Sequence, residues 1–72
     1  MIELIEKLPW NKKIKLLRII NDWTQEEAAK MCFVERRAYQ LWEKGENMPH
    51  KNNRRTIAKI FNVNEREIFD YE

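Results

Sequence analysis

The 72-residue chain has a single cysteine, a single histidine and a single glycine, with two prolines. Each scarcity closes a class of function. A lone Cys32 cannot pair within the chain, so no disulfide framework supports this small domain. Cys32 and His50 fall far short of a zinc-ligand set, and neither a metal nor another cofactor is expected. One glycine cannot build a phosphate-cradling loop. The Cys and the His lie on separate predicted elements, and no paired-carboxylate pocket stands out, so an enzyme is not expected. No apolar run approaches the ~20 residues that span a bilayer. The first residues lack the cation-then-apolar order of a signal peptide. The expectation is a cytoplasmic, reduced, single domain over residues 1–72, without membrane association or a small-molecule ligand.

Charge of one sign is also scarce: 14 Lys/Arg against 12 Asp/Glu leave a net +2. Its distribution is less even. Residues 1–34 carry +1, residues 35–59 carry +4 and residues 60–72 carry −3, so an acidic tail hides a basic middle. Such a patch attracts a polyanion, and the same charges equally suit a solvated helix face.

An apolar share of 43% suffices for a compact core. Few β-branched alternations occur, and apolar positions recur every three or four residues, which predicts short amphipathic helices. The first runs over residues 9–21, with Pro9 at its start and Ile14, Leu17 and Ile20 on one face. Thr24-Gln25-Glu26-Glu27 is a capping box that opens a second helix reaching Cys32, with Ala28, Ala29 and Cys32 inward. A third spans residues 35–44 and stops at Gly45. A fourth covers residues 53–61, burying Ile57, Ala58 and Phe61, and ends at a left-handed Asn62. Asn64-Glu65-Arg66-Glu67 starts a fifth, leading into Ile68 and Phe69. Residues 1–8 add at most a partial turn. Trp10, Trp23, Trp42 and Tyr39 are read as core.

The third helix holds the informative pattern. At 100° per residue, Arg36, Arg37, Gln40 and Lys44 form one polar, cationic strip, while Ala38, Tyr39 and Trp42 lie opposite. Leu41 falls at the strip's edge. Arginine donates bidentately to guanine O6 and N7, glutamine pairs with adenine, and a helix fits the major groove. A merely solubilising face would show the same periodicity.

The segments Trp23-Thr24-Gln25-Glu26-Glu27-Ala28-Ala29, Val34-Glu35-Arg36-Arg37 and Trp42-Glu43-Lys44-Gly45 resemble the phage repressor/Cro-like (XRE-type) helix-turn-helix family. Its pattern reads leucine-Thr-Gln-x-x-leucine-Ala, then Gly-Val-Ser-x-x-x-Ile, then aromatic-Glu-x-Gly. The match extends over residues 14–69. The resemblance implies an all-α, five-helix, lambda-repressor-like bundle with helices 2 and 3 as the helix-turn-helix. It also implies site roles. Gln25 would meet a phosphate at a helix N-terminus. Arg36, Arg37, Gln40 and Leu41 would read bases, and Lys44 would approach the backbone. Leu41 suits either a thymine methyl group or the edge of the core. Arg18 and Glu43 would form a structural ion pair. Lys51, Arg54 and Arg55 cluster where phosphate contact is plausible for one or two of them.

Three departures from the family pattern stand out. Phe33 replaces the turn glycine, Ala28 a leucine, and Glu35 the Ser/Thr cap. At Phe33 either the turn is remodelled or strain is tolerated; its ring is expected to swing inward over the volume that Ala28 gives up, and Glu35 to weaken non-specific attraction to DNA. The leading function implied is a sequence-specific, double-stranded DNA-binding transcriptional regulator, a small stand-alone repressor. It would bind as a homodimer, with Ile68, Phe69 and Tyr71 as contacts, although the monomer's core is an equally good use of Ile68 and Phe69. The alternative is a protein-interaction module of the same fold, of antitoxin or anti-regulator type.

Overall fold

Pro9 fixes where the first helix begins. Its ring holds φ at −66°, and its carbonyl accepts from the N–H groups of Lys12 and Lys13 at 3.0 Å. In the computed structural model, which describes residues 7–69, α1 then spans Trp10–Ile20. It is followed by α2 (Gln25–Met31), α3 (Arg36–Lys44), α4 (Lys51–Ile60) and α5 (Glu65–Ile68). No strand occurs among the described residues, so the all-α, five-helix bundle is the observed architecture. The partial turn expected over residues 1–8 lies almost wholly outside the described residues.

Local chemistry explains the boundaries. The Thr24 hydroxyl accepts from Glu27 N–H at 3.1 Å, and the Glu27 carboxylate accepts from Thr24 N–H at 2.9 Å, completing the capping box that opens α2. Helix ends use left-handed residues: Asp22 (φ 61°), Phe33 (φ 60°), Gly45 (φ 79°) and Asn62 (φ 56°). α4 begins two residues earlier than the expected residue 53. His50 is its N-cap, the first helical bond runs from Arg54 N–H to the His50 carbonyl at 2.9 Å, and Asn52 and Asn53 lie inside the first turn. Pro49, fully buried, anchors the preceding loop and sets this earlier start.

The core gathers Ile14 from α1, Ala28, Ala29 and Cys32 from α2, Tyr39 and Trp42 from α3, Ile57 and Phe61 from α4, and Ile68 and Phe69 from α5. α3 packs on both α1 and α2, and α5 closes against α1 and α4. Trp23 stacks on Phe61 with ring centroids 5.6 Å apart, and Trp10 meets Phe69 at 5.9 Å. Those contacts tie the start of α1 to the end of α5 and the α1–α2 turn to the end of α4.

Two inward assignments are corrected. Ile20 shares a projected face with Ile14 and Leu17 but is 62% exposed, because α1 ends there and Asp22 turns the chain away. Phe33 does not swing in. It is 90% exposed, since its left-handed backbone points the ring at solvent while Val34 turns back onto the core. Tyr39, at 0% exposure, is the bulky side chain that shares the cluster with Ala28.

Candidate nucleic-acid interface

α3 is held by its inner face and leaves its outer face free. Tyr39 and Trp42 are buried, with ring centroids 5.9 Å apart, whereas Arg36, Arg37 and Lys44 are exposed and Gln40 and Leu41 half-buried. Arg36, Arg37, Gln40, Leu41 and Lys44, joined by Glu46, line one shallow groove. At 1.5 Å per residue the strip from Arg36 to Lys44 is about 12 Å long, close to the width of a DNA major groove. A second recess lies beside it, lined by Thr24, Gln25, Glu26 and Arg36, at the N-terminus of α2.

Glu43 belongs to the same helix but faces the other way. Its carboxylate takes Arg18 Nε at 2.7 Å and Nη2 at 3.2 Å, with side-chain exposures of 14% for Arg18 and 4% for Glu43. Arg18 Nη1 also donates to the Trp23 carbonyl at 2.9 Å, so one guanidinium clamps α1, the α1–α2 turn and α3 together. Donation to the Glu43 carboxylate holds the Arg18 pKa above its ordinary value. Gln25 Nε2 donates to Glu43 Oε1 at 3.0 Å, and Gln40 Nε2 donates to Gln25 Oε1 at 3.2 Å. The far end of α3 is pinned as well, by Asn11 Nδ2 donating to the Glu43 carbonyl at 3.0 Å. A Cβ added at Gly45 would come within 3.1 Å of that Asn11 amide, so both its left-handed φ and its neighbour favour glycine there.

Two polar side chains inside the bundle complete the electrostatics. The Tyr39 hydroxyl is buried without a well-aligned hydrogen bond, and burial, then the nearby Glu43 carboxylate, pushes its pKa up. Burial likewise pushes the Cys32 thiol up to about 11, leaving it a small apolar core residue.

A short helix with a capping box at its N-terminus, a four-residue turn (residues 32–35) and an exposed cationic helix packed on both preceding helices make up this face. The helix-turn-helix family model matches residues 14–68. The chain belongs to this family. It is also similar to the HTH-type transcriptional activator BcrR of Enterococcus faecalis, with 32% identity over 65 residues. That match covers 90% of this chain and 32% of the relative, so the chain spans about a third of that protein's length. No solved structure gave a significant match.

Within this helix-turn-helix the remaining site residues are unevenly placed. Lys51 and Arg55 are exposed on α4, whereas Arg54 is half-buried and donates through Nη1 to the Pro49 carbonyl at 2.8 Å. Arg54 therefore braces the loop before α4. Ile68 and Phe69 are each 1% exposed, which assigns them to the core and removes them as surface contacts between subunits. Tyr71 lies outside the described residues. Sequence reading passed over Glu46, which lines the cationic groove from just beyond the helix end. Its place beyond Gly45 put it outside the helical projection that singled out the others. No helix among the described residues is long and apolar enough to cross a membrane.

Proposed function

We propose that the chain is a sequence-specific, double-stranded DNA-binding domain of a transcriptional regulator that lays α3 in the major groove. One observation carries this reading. Arg36, Arg37, Gln40, Leu41 and Lys44 line a single open groove with Glu46 at its edge, while Glu43, the acidic residue within α3, is turned inward and paired with Arg18. Arg36, Arg37 and Gln40 supply base-edge donors and acceptors, and Leu41 an apolar contact for a thymine methyl group. Lys44 meets the phosphate backbone, as do Gln25 at the start of α2 and Lys51 on α4. Binding as a homodimer to two half-sites one turn apart belongs to the same reading. With Ile68 and Phe69 consumed by the core, the subunit contact falls to other residues. Occupancy of a promoter would give repression. The similar Enterococcus faecalis protein is named as an activator, so a promoter–reporter fusion decides the direction.

Selection of bound duplexes from a random pool tests the reading. The expected result is a defined site with half-site symmetry. Arg36→Ala should relax preference at one position by about 1–3 kcal/mol, and Lys44→Ala should weaken all sequences alike. A uniform loss from Arg36→Ala would remove its base-reading role.

The protein-interaction alternative rests on a different observation. Phe33 is an aromatic ring 90% exposed in the turn, and Ile19, Ile20 and Met31 are also exposed. Titrating salt against random duplex separates the two readings, because phosphate contacts make log affinity fall steeply with log salt. Absence of duplex binding at low salt would favour the protein partner and overturn DNA binding.

A further inference from the structure

Gln40 offers the groove an amide whose orientation is imposed from behind. The chain of cause starts at Glu43. An ionised carboxylate only accepts hydrogen bonds. Gln25 must therefore turn its NH₂ group to Glu43 Oε1, at 3.0 Å, and its carbonyl oxygen is left facing Gln40. That oxygen accepts only a donor, and Gln40 supplies Nε2 at 3.2 Å. One Nε2 hydrogen of Gln40 is consumed in this bond. The second hydrogen and Oε1 remain, on a half-buried side chain that lines the cationic groove.

A donor beside an acceptor matches the major-groove edge of adenine, which presents N7 as acceptor and N6 as donor. The opposite orientation would turn Oε1 toward Gln25 and leave two N–H donors for the groove, the pattern suited to guanine O6 and N7. Nothing in Gln40 itself selects between these. The selection comes through two hydrogen bonds from a carboxylate held by Arg18 at 2.7 Å, on the inner side of the same helix.

We propose that Arg18, Glu43 and Gln25 form a polarity relay that fixes the amide of Gln40 and so sets an A·T preference at the base pair it meets. Glu43 and Arg18 are positioning residues that touch no DNA. Gln25 keeps one Nε2 hydrogen for a phosphate, so its two roles are compatible. The inference rests on the DNA-binding reading and adds a base identity to it.

Two measurements test it. In the free protein, NMR should find the side-chain NH₂ groups of Gln25 and Gln40 protected from exchange, and Gln25→Leu should return Gln40 to the rate of a free amide. Free-amide rates for both in the wild type would overturn the relay without touching DNA binding. In duplex selection, the wild type should show a position preferring A·T by about tenfold that Gln40→Ala abolishes. Gln25→Leu should cut that preference to less than about threefold while the ranking at other positions holds. Full retention of the A·T preference in Gln25→Leu, or a G·C preference in the wild type, overturns the relay. Glu43→Gln, which can donate as well as accept, should move the preference toward G·C. Should that variant fail to fold, Gln25→Leu still carries the test, because it leaves the Arg18–Glu43 pair in place. A wild type that binds no duplex overturns the DNA-binding reading itself, and the base preference with it.

Discussion

Replacing Phe33 by glycine should stabilise the fold. Phe33 sits at φ 60° in the turn between α2 and α3, where its N–H donates to the Lys30 carbonyl at 3.1 Å and Val34 N–H to the Ala29 carbonyl at 3.0 Å. These bonds close α2 and aim the chain into α3, and they require the left-handed conformation. For a residue with a Cβ that conformation costs roughly 1–2 kcal/mol. Glycine removes the cost but adds freedom to the unfolded chain, which takes back about 0.4–1 kcal/mol. The ring is 90% exposed, so its loss forfeits little burial. The net gain is about 0.5–1 kcal/mol, equivalent to a rise in Tm of roughly 2–8 °C for a domain of this size.

Thermal unfolding followed by circular dichroism measures this directly, with Phe33→Ala as the control. Alanine keeps the Cβ and therefore the strain, so its Tm should stay close to that of the wild type. A glycine variant melting at or below the alanine variant would refute the reasoning. It would mean that a Cβ at this position costs the turn nothing; ring contacts would show instead as both variants melting below the wild type.

Arg18→Met should cost about 3 kcal/mol in a urea melt, because it strands a carboxylate whose side chain is only 4% exposed; a loss under 1 kcal/mol would show the pair to be dispensable. Native Cys32, 2% exposed and with its thiol pushed up to about 11, should resist a disulfide reagent at neutral pH and react only as the protein unfolds. Reaction at the rate of a free thiol would contradict its burial. Acid should weaken the cap of α2. The Glu27 carboxyl is held below its ordinary 4.5, first by the Thr24 backbone N–H and then by the Thr24 side chain. A lowered folded pKa gives stability that is present above 4.5 and is lost as pH falls through the lower folded value. Glu27→Gln should flatten that part of the stability–pH profile, and an unchanged profile would exclude the contribution.

Local chemistry made much of this molecule legible from the chain alone. The capping box at Thr24 and the left-handed stop at Gly45 depend on neighbours within a few residues, and both were readable. The start of α4 was not. Its apolar pattern begins only at Ile57, whereas the chain turns helical at Lys51, with His50 as N-cap directly after the buried Pro49. The inward path for Phe33 failed as well. The expectation rested on the volume that Ala28 gives up, and the direction of a side chain follows its backbone, which at Phe33 is left-handed.

The sequence by itself determined that the chain is helical, where most helices start and stop, and which residues of α3 share an outer face. Those properties follow from spacing at 3.6 residues per turn and from short-range hydrogen bonding. Only the tertiary structure decided what the charges on that helix do. A count along the chain subtracts Glu43 from the basic middle, yet α1 brings Arg18 within 2.7 Å and takes that negative charge out of the groove. Gln25 and Gln40 stand 15 residues apart, and only the packing of α2 on α3 lets one amide set the polarity of the other. Bonds between distant residues carry no local signature, because their geometry exists only once the core has closed.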